Sequence, residues 1–201
     1  MSELTELYKE IRVCEKCILS RGRTNAVPGE GPEHADILFI GEGPGFHEDR
    51  QGRPFVGAAG KYLEELLERI GLKREEVYIA NVIKCRPPGN RDPLPEEIEA
   101  CRPYLDKQID LVRPRLIITL GRFSMQRYFP GASITRIHGQ PKRVGNMIYY
   151  PMFHPAAALH QPKWRNVVDE DFLKIPGLLA KLEAIEEAAP ESPQAQQLSL
   201  F

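Results

Sequence analysis

Four short apolar runs alternate with stretches of helical character, and this alternation restricts the fold more than any other feature of the chain. The runs are 36–41 (DILFIG), 77–83 (VYIANVI), 115–120 (RLIITL) and 147–152 (MIYYPM). Their length and their Ile, Val and Tyr content mark them as strands. Helices are expected over 3–13, 57–70, 95–112, 121–128 and roughly 168–188. Pro95, just ahead of Glu96 and Glu97, is a helix start, and Gly71, just after Ile70, is a helix stop. Strands separated by helices return to the same sheet in parallel, so an α/β domain with a four-stranded, mostly parallel sheet is expected.

Ligands of such sheets sit beyond the carboxyl ends of the strands. The first run is followed by the glycine-rich turn 41–45 (GEGPG), and the second contains Asn81 and leads into KCRPPGNR. Gly121 follows the third run, and Phe153, His154 and Pro155 follow the fourth. The polar and glycine-rich elements therefore fall on one rim.

The 201 residues, 42 % hydrophobic and 27 % charged, are ordinary for a globular chain and large enough for one buried core. One domain is expected over 1–188 and a flexible tail over 189–201. No apolar run is long enough for a membrane span, and the N-terminal segment reads as an amphipathic helix, not a signal. A monomeric cytoplasmic protein with no membrane partner is expected. Disulfides are rare in that compartment, so four cysteines suggest a metal or a cluster.

The net charge of −1 is uninformative, but its distribution is not. From Leu111 to Val168 there is no Asp or Glu, while Arg113, Arg115, Arg122, Arg127, Arg136, Lys142, Arg143, Lys163 and Arg165 all fall there. A basic face for a phosphate backbone is the expectation.

Cys14 and Cys17 form a C-x-x-C pair; Cys85 and Cys101 are separated by fifteen residues. Four thiolates can hold one zinc ion or one iron–sulfur cluster. Zinc ribbons use two close pairs, so the wide second pair favours the larger cuboidal group.

Three blocks, GEGPGFHEDRQGRPFVGAAGKYL, NVIKCRPPGNRDPLPEEIEACRPYL and PMFHPAAAL, resemble the motif blocks of family 4 uracil-DNA glycosylases, the iron–sulfur class. The resemblance runs from Cys14 to about Leu159. It implies the three-layer α/β/α fold of those enzymes, a 4Fe–4S cluster on the four cysteines, and a pocket for uracil flipped out of DNA.

Under that resemblance each residue type has a chemical reason. Gly41, Glu42 and Gly43 contribute backbone N–H groups to the base. Phe55 offers a stacking face, against the alternative of a core side chain beside a turn. The Asn81 amide matches O4 and N3–H of uracil and rejects cytosine. His154 donates to O2, where charge grows on the leaving base. Glu48 and Glu42 are the candidates to stabilise the sugar cation or orient water, with Glu48 favoured. The best-known glycosylase family has an Asp where Gly43 stands here, so water activation comes from elsewhere. Phe46 and His47 occupy positions that are often acidic in relatives, and the HPAAALH segment lacks the larger residues some relatives carry after HPA. Leu159 is the candidate that fills the space left in the duplex.

Three further readings compete, one of them a plain zinc-ribbon-stabilised nucleotide-binding domain. A relative that crosslinks uracil would carry an additional basic, His-containing loop after the second strand, where KCRPPGNRDPLPEE continues directly. A non-catalytic iron–sulfur DNA-binding module would not need Asn81, His154 and Glu48 together. The chain ends in QLSLF, which resembles the short motif that binds the bacterial sliding clamp. Gln197 would make a polar contact, and Leu198, Leu200 and Phe201 would fill an apolar pocket.

Overall fold

All four expected runs form strands, and a fifth strand joins them. The computed structural model describes residues 2–188. The strands are β1 (Ile37–Gly41), β2 (Tyr78–Asn81), β3 (Leu116–Leu120), β4 (Lys142–Val144) and β5 (Met147–Met152), in the order β2-β1-β3-β5-β4. Every neighbouring pair is parallel except β4 with β5. The expectation of four strands is thus corrected to five. β4 is three residues long and exposed throughout, so it carries no apolar signal. It is held by a hairpin that pairs Val144 with Met147 and turns through Gly145 at φ 61°. Lys142 and Arg143 blunt this sheet edge against further strand pairing.

The helices are α1 (Glu3–Arg12), α2 (Phe46–Gln51), α3 (Ala58–Arg69), α4 (Pro95–Val112), α5 (Arg122–Gln126), α6 (Ile134–Ile137), α7 (Pro155–His160), α8 (Arg165–Leu173) and α9 (Ile175–Ala188). Successive residues of β1 point to opposite faces, as the pleat dictates. Ile37 and Phe39 join a core with Leu63, Leu66 and Leu67 of α3, Phe172 of α8 and Ile175 of α9. Leu38 and Ile40 join a second core with Leu7 and Ile11 of α1 and Leu105 of α4. Helices on both faces of one sheet give the three layers. Each fully buried Leu or Ile contributes about 1.5–3 kcal/mol to that arrangement.

The helix expected over 168–188 is two helices. Pro176 has no N–H to donate, and its ring excludes the carbonyl four residues back, so the chain bends at Lys174. The helix expected over 121–128 is the shorter α5. Among the described residues no helix is long and apolar enough to cross a membrane. Gln197, Leu198, Leu200 and Phe201 lie outside the described residues.

Candidate active site

The carboxyl ends of β1, β2 and β5 converge on one cleft. Glu42, Gly43, Glu48, Phe55, Asn81 and His154 all line it. Gly41 ends β1 directly opposite Asn81 in the sheet register. A Cβ on Gly41 would come within 2.4 Å of Asn81 Oδ1 and 2.7 Å of the Phe55 ring. Only glycine lets these two side chains meet there. A Cβ on Gly43 would strike Ile83 at 2.6 Å, so the turn lies close over the strand below it.

Asn81 is 2 % exposed, and its Oδ1 is buried with no hydrogen-bond partner among the described residues. Buried polar atoms are nearly always paired, so an orphan in a cleft marks a place for a donor. The strand end that carries it is anchored from below. Lys84 Nζ donates to the Asn81 carbonyl at 2.8 Å and to Gln108 Oε1 at 2.6 Å. Gln108 in turn donates to the Pro28 carbonyl and to the Tyr78 hydroxyl, each at 2.8 Å.

His154 caps α7, where its Nδ1 accepts the Ala156 N–H at 3.1 Å. An accepting Nδ1 leaves the ring proton on Nε2, so the other nitrogen is a donor. Burial pushes the imidazole pKa down to about 4, against the opposing pull of the Glu48 carboxylate. The ring is therefore neutral near pH 7. It lies 5.4 Å from the Phe55 ring at an interplanar angle of 21°.

The two candidate carboxylates differ in their surroundings. Glu48 Oε1 accepts the N–H groups of Val56 and Gly57, at 2.9 and 2.8 Å, at the start of α3. Glu48 is thereby fixed through one oxygen, and Oε2 turns toward Gly45. Glu42 has no such anchor. Burial raises its pKa, Asp92 adds to the rise and Arg122 opposes it.

Phe55 itself stands at φ 52°, a left-handed conformation unusual for an aromatic residue. Two groups hold it there. Arg74 donates through Nη1 to the Phe55 carbonyl at 2.8 Å and through Nη2 to the Pro54 carbonyl. Gly60 packs so closely that a Cβ would lie 1.9 Å from the Phe55 oxygen. Arg74 is in turn held by Glu30 at 3.1 Å and Glu64 at 3.0 Å.

A family model described as the uracil DNA glycosylase superfamily matches residues 28–174. The chain belongs to that superfamily. It is 49 % identical over 185 residues to the type-4 uracil-DNA glycosylase of Sulfurisphaera tokodaii, covering 87 % of this chain and 84 % of that protein. Identity to the type-4 uracil-DNA glycosylase of Archaeoglobus fulgidus is 47 %, with 90 % and 96 % covered. The type-4 uracil-DNA glycosylase of Thermotoga maritima is 44 % identical, with 89 % and 96 % covered.

In this superfamily member the cleft also takes in Pro87, Asn90, Arg91 and His160, which the sequence analysis did not single out. Arg91 forks onto Glu97 at 2.9 and 2.6 Å, and Glu97 accepts the Leu94 N–H at 2.8 Å, which fixes the loop at the cleft mouth. Arg91 holds the Glu97 carboxyl below its usual range. Leu159 lies outside the cleft lining, 43 % exposed on α7 beside His160. Arg74 and Gly60 carry no sequence signal, because their role is to hold another residue's backbone.

The four cysteines of this superfamily member line one small cavity, away from the cleft. Cys85 and Cys101 are buried, and burial raises both thiols. Arg23 bridges the region, donating to Cys85 Sγ at 3.2 Å, to the Cys14 carbonyl at 2.7 Å and to the Arg12 carbonyl at 2.9 Å. Among the described residues no group of three or more His, Cys, Asp or Glu is placed to hold a single metal ion.

Part of the basic stretch is paired with carboxylates from elsewhere in the chain. Arg115 pairs with Asp36 at 2.8 Å, Arg122 with Asp92, Arg127 with Asp106 and Arg165 with Glu65 at 3.9 Å. Arg113 caps α4 beside Asp110 and Glu33. Among the described residues Arg136, Lys142, Arg143 and Lys163 have no carboxylate partner. Among the described residues of this stretch, those four cations lie on α6, on β4 and just past α7, and Arg113 at the end of α4 also forms no ion pair.

Proposed function

We propose that this chain is a DNA-repair uracil-DNA glycosylase, which flips uracil from DNA and hydrolyses its N-glycosidic bond to leave an abasic site. The observation that carries the reading is the buried, unpaired Asn81 Oδ1 in the same cleft as a neutral His154. Asn81 Oδ1 accepts from uracil N3–H and the amide nitrogen donates to O4. The backbone at Gly41, Glu42 and Gly43 lines the base, and Phe55 stacks on it. The bonding pair between N1 and C1′ leaves with the base, and His154 Nε2–H donates to O2 as charge builds there. Water adds to C1′, oriented by Glu48, and gives up a proton that neutralises the departed uracil anion, while Glu42 stabilises the sugar cation. Leu159, exposed on the rim, fills the space vacated in the duplex.

Cys14, Cys17, Cys85 and Cys101 hold a 4Fe–4S cluster. Thiols arranged around a cavity suit a cuboidal group, whose cysteines ligate separate iron atoms. Through such a cluster Cys14 and Cys17 would tie the end of α1 to Cys85 and Cys101, a structural role that would supply no chemistry to the base. The protein works as a cytoplasmic monomer on uracil-containing DNA, and its C-terminal QLSLF binds the bacterial sliding clamp.

The deciding experiment incubates the protein with uracil-containing single-stranded DNA and then applies alkali. Strand cleavage at the uracil is expected. A protein–DNA adduct identifies the crosslinking activity instead, and unchanged DNA identifies a non-catalytic binder.

A further inference from the structure

Phe46 opens α2 with its side chain 48 % exposed, yet α2 buries only Asp49 and the ring belongs to neither core. Cations surround it. The guanidinium carbons of Arg50 and Arg86 lie 5.7 and 5.2 Å from the ring centroid. The His47 ring meets it edge-on at 5.4 Å. Arg86 uses its Nε on Asn90 Oδ1 at 2.7 Å, and among the described residues neither arginine has a carboxylate partner. Gly45, just before Phe46, and Pro87, just after Arg86, both line the cleft. The patch therefore stands on the cleft rim.

An exposed aromatic ring beside unpaired guanidinium groups is the chemistry that binds a single strand of nucleic acid. Bases stack on the ring and phosphates take the cations. We propose that Phe46, Arg50 and Arg86 form a platform for the base and phosphates of a nucleotide flanking the flipped uridine. The proposal rests on the uracil reading of the cleft, because that reading brings a DNA strand across this rim. An exposed cation–π contact is weaker than a base–aromatic stack. An arriving base displaces a guanidinium from the ring, and the displaced group is then free for a phosphate.

The test uses the full chain and single-stranded oligonucleotides with one uracil, in single-turnover excision. One series replaces, one at a time, each of the nearest nucleotides on either side of the uracil by an abasic spacer. For Phe46→Ala the half-saturating concentration on the intact strand should rise about tenfold, a typical effect of losing one base stack. Phe46→Trp should restore it. One spacer position should cost the natural protein a similar factor and cost Phe46→Ala nothing. Equal spacer penalties in both proteins, or half-saturation within twofold for Phe46→Ala, would overturn the platform. Absence of excision by the natural protein would overturn the uracil reading instead.

Discussion

The carbonyl of Phe55 accepts a hydrogen bond at 2.8 Å from Arg74, a residue nineteen positions further along the chain. Through it, an arginine outside the cleft lining decides where the stacking ring stands. Arg74→Ala should lower stability by about 2 kcal/mol, because it removes charged hydrogen bonds at a largely buried site. It should also weaken inhibition by free uracil, which thermal unfolding and inhibition constants measure side by side. Equal stability loss with unaltered uracil inhibition would leave Arg74 with a packing role only.

The low pKa of His154 has a signed consequence. The folded ring takes a proton only near pH 4, whereas an exposed histidine does so near 6.5. The donating neutral form therefore persists across the neutral range, and a single-turnover pH profile should show no inflection near 6.5. Stability has the matching sign: as pH falls from 6.5 toward 4, the unfolded chain gains a proton that the folded chain refuses, so stability falls. Replacing His154 by Ala should cost about 10²-fold in rate.

Glu48 combines an anchoring oxygen with one turned toward Gly45 that is proposed to orient water, and two substitutions separate them. Glu48→Gln keeps an oxygen for the Val56 and Gly57 N–H groups, so its melting temperature should stay close to that of the natural protein while its rate falls about 10²-fold. Glu48→Ala should lose in addition about 1 kcal/mol of stability, as a lost helix cap does. A normal rate in the glutamine variant would move water activation to Glu42.

Affinity for DNA should fall steeply with salt, and the ion pairs predict which residues set the slope. The Lys142→Gln, Arg143→Gln double variant should flatten the plot of log affinity against log salt by about 2, one unit per phosphate contact. Arg127→Gln should leave the slope unchanged, since Asp106 already neutralises that guanidinium.

Substituting any of Cys14, Cys17, Cys85 or Cys101 by Ala should lower iron content and melting temperature together. Anaerobically purified protein that contains zinc and no iron would exclude the cluster.

β1, β2 and β3 were readable because each is buried along its whole length, and β5 because it is buried over most of its length. β4 was not, because an exposed edge strand of KRV has no reason to look apolar. Asn81 and His154 stood out because each ends or closely follows a strand, and Glu48 and Phe55 because they lie in the motif block after β1 that carries the resemblance. Arg74, Gly60 and Arg23 act on backbone or sulfur at a distance in sequence, and no local pattern encodes that. The pairing within the basic stretch was not legible, because a one-dimensional count cannot see Asp36, Asp92 and Asp106 folding back onto its arginines.

Under the proposed uracil reading, glycine at position 41 makes base recognition a property of backbone shape. Because Gly41 presents no Cβ, there is room for the Asn81 side-chain oxygen beside it, and among the described residues that buried oxygen has no hydrogen-bond partner. On that reading the fold gives up a little of its own stability at the atom proposed to discriminate. A base with a donor at that position completes the set, and a base with an acceptor there confronts a second, equally buried acceptor. Selectivity of this kind is rejection more than attraction, and it is already present before any DNA arrives.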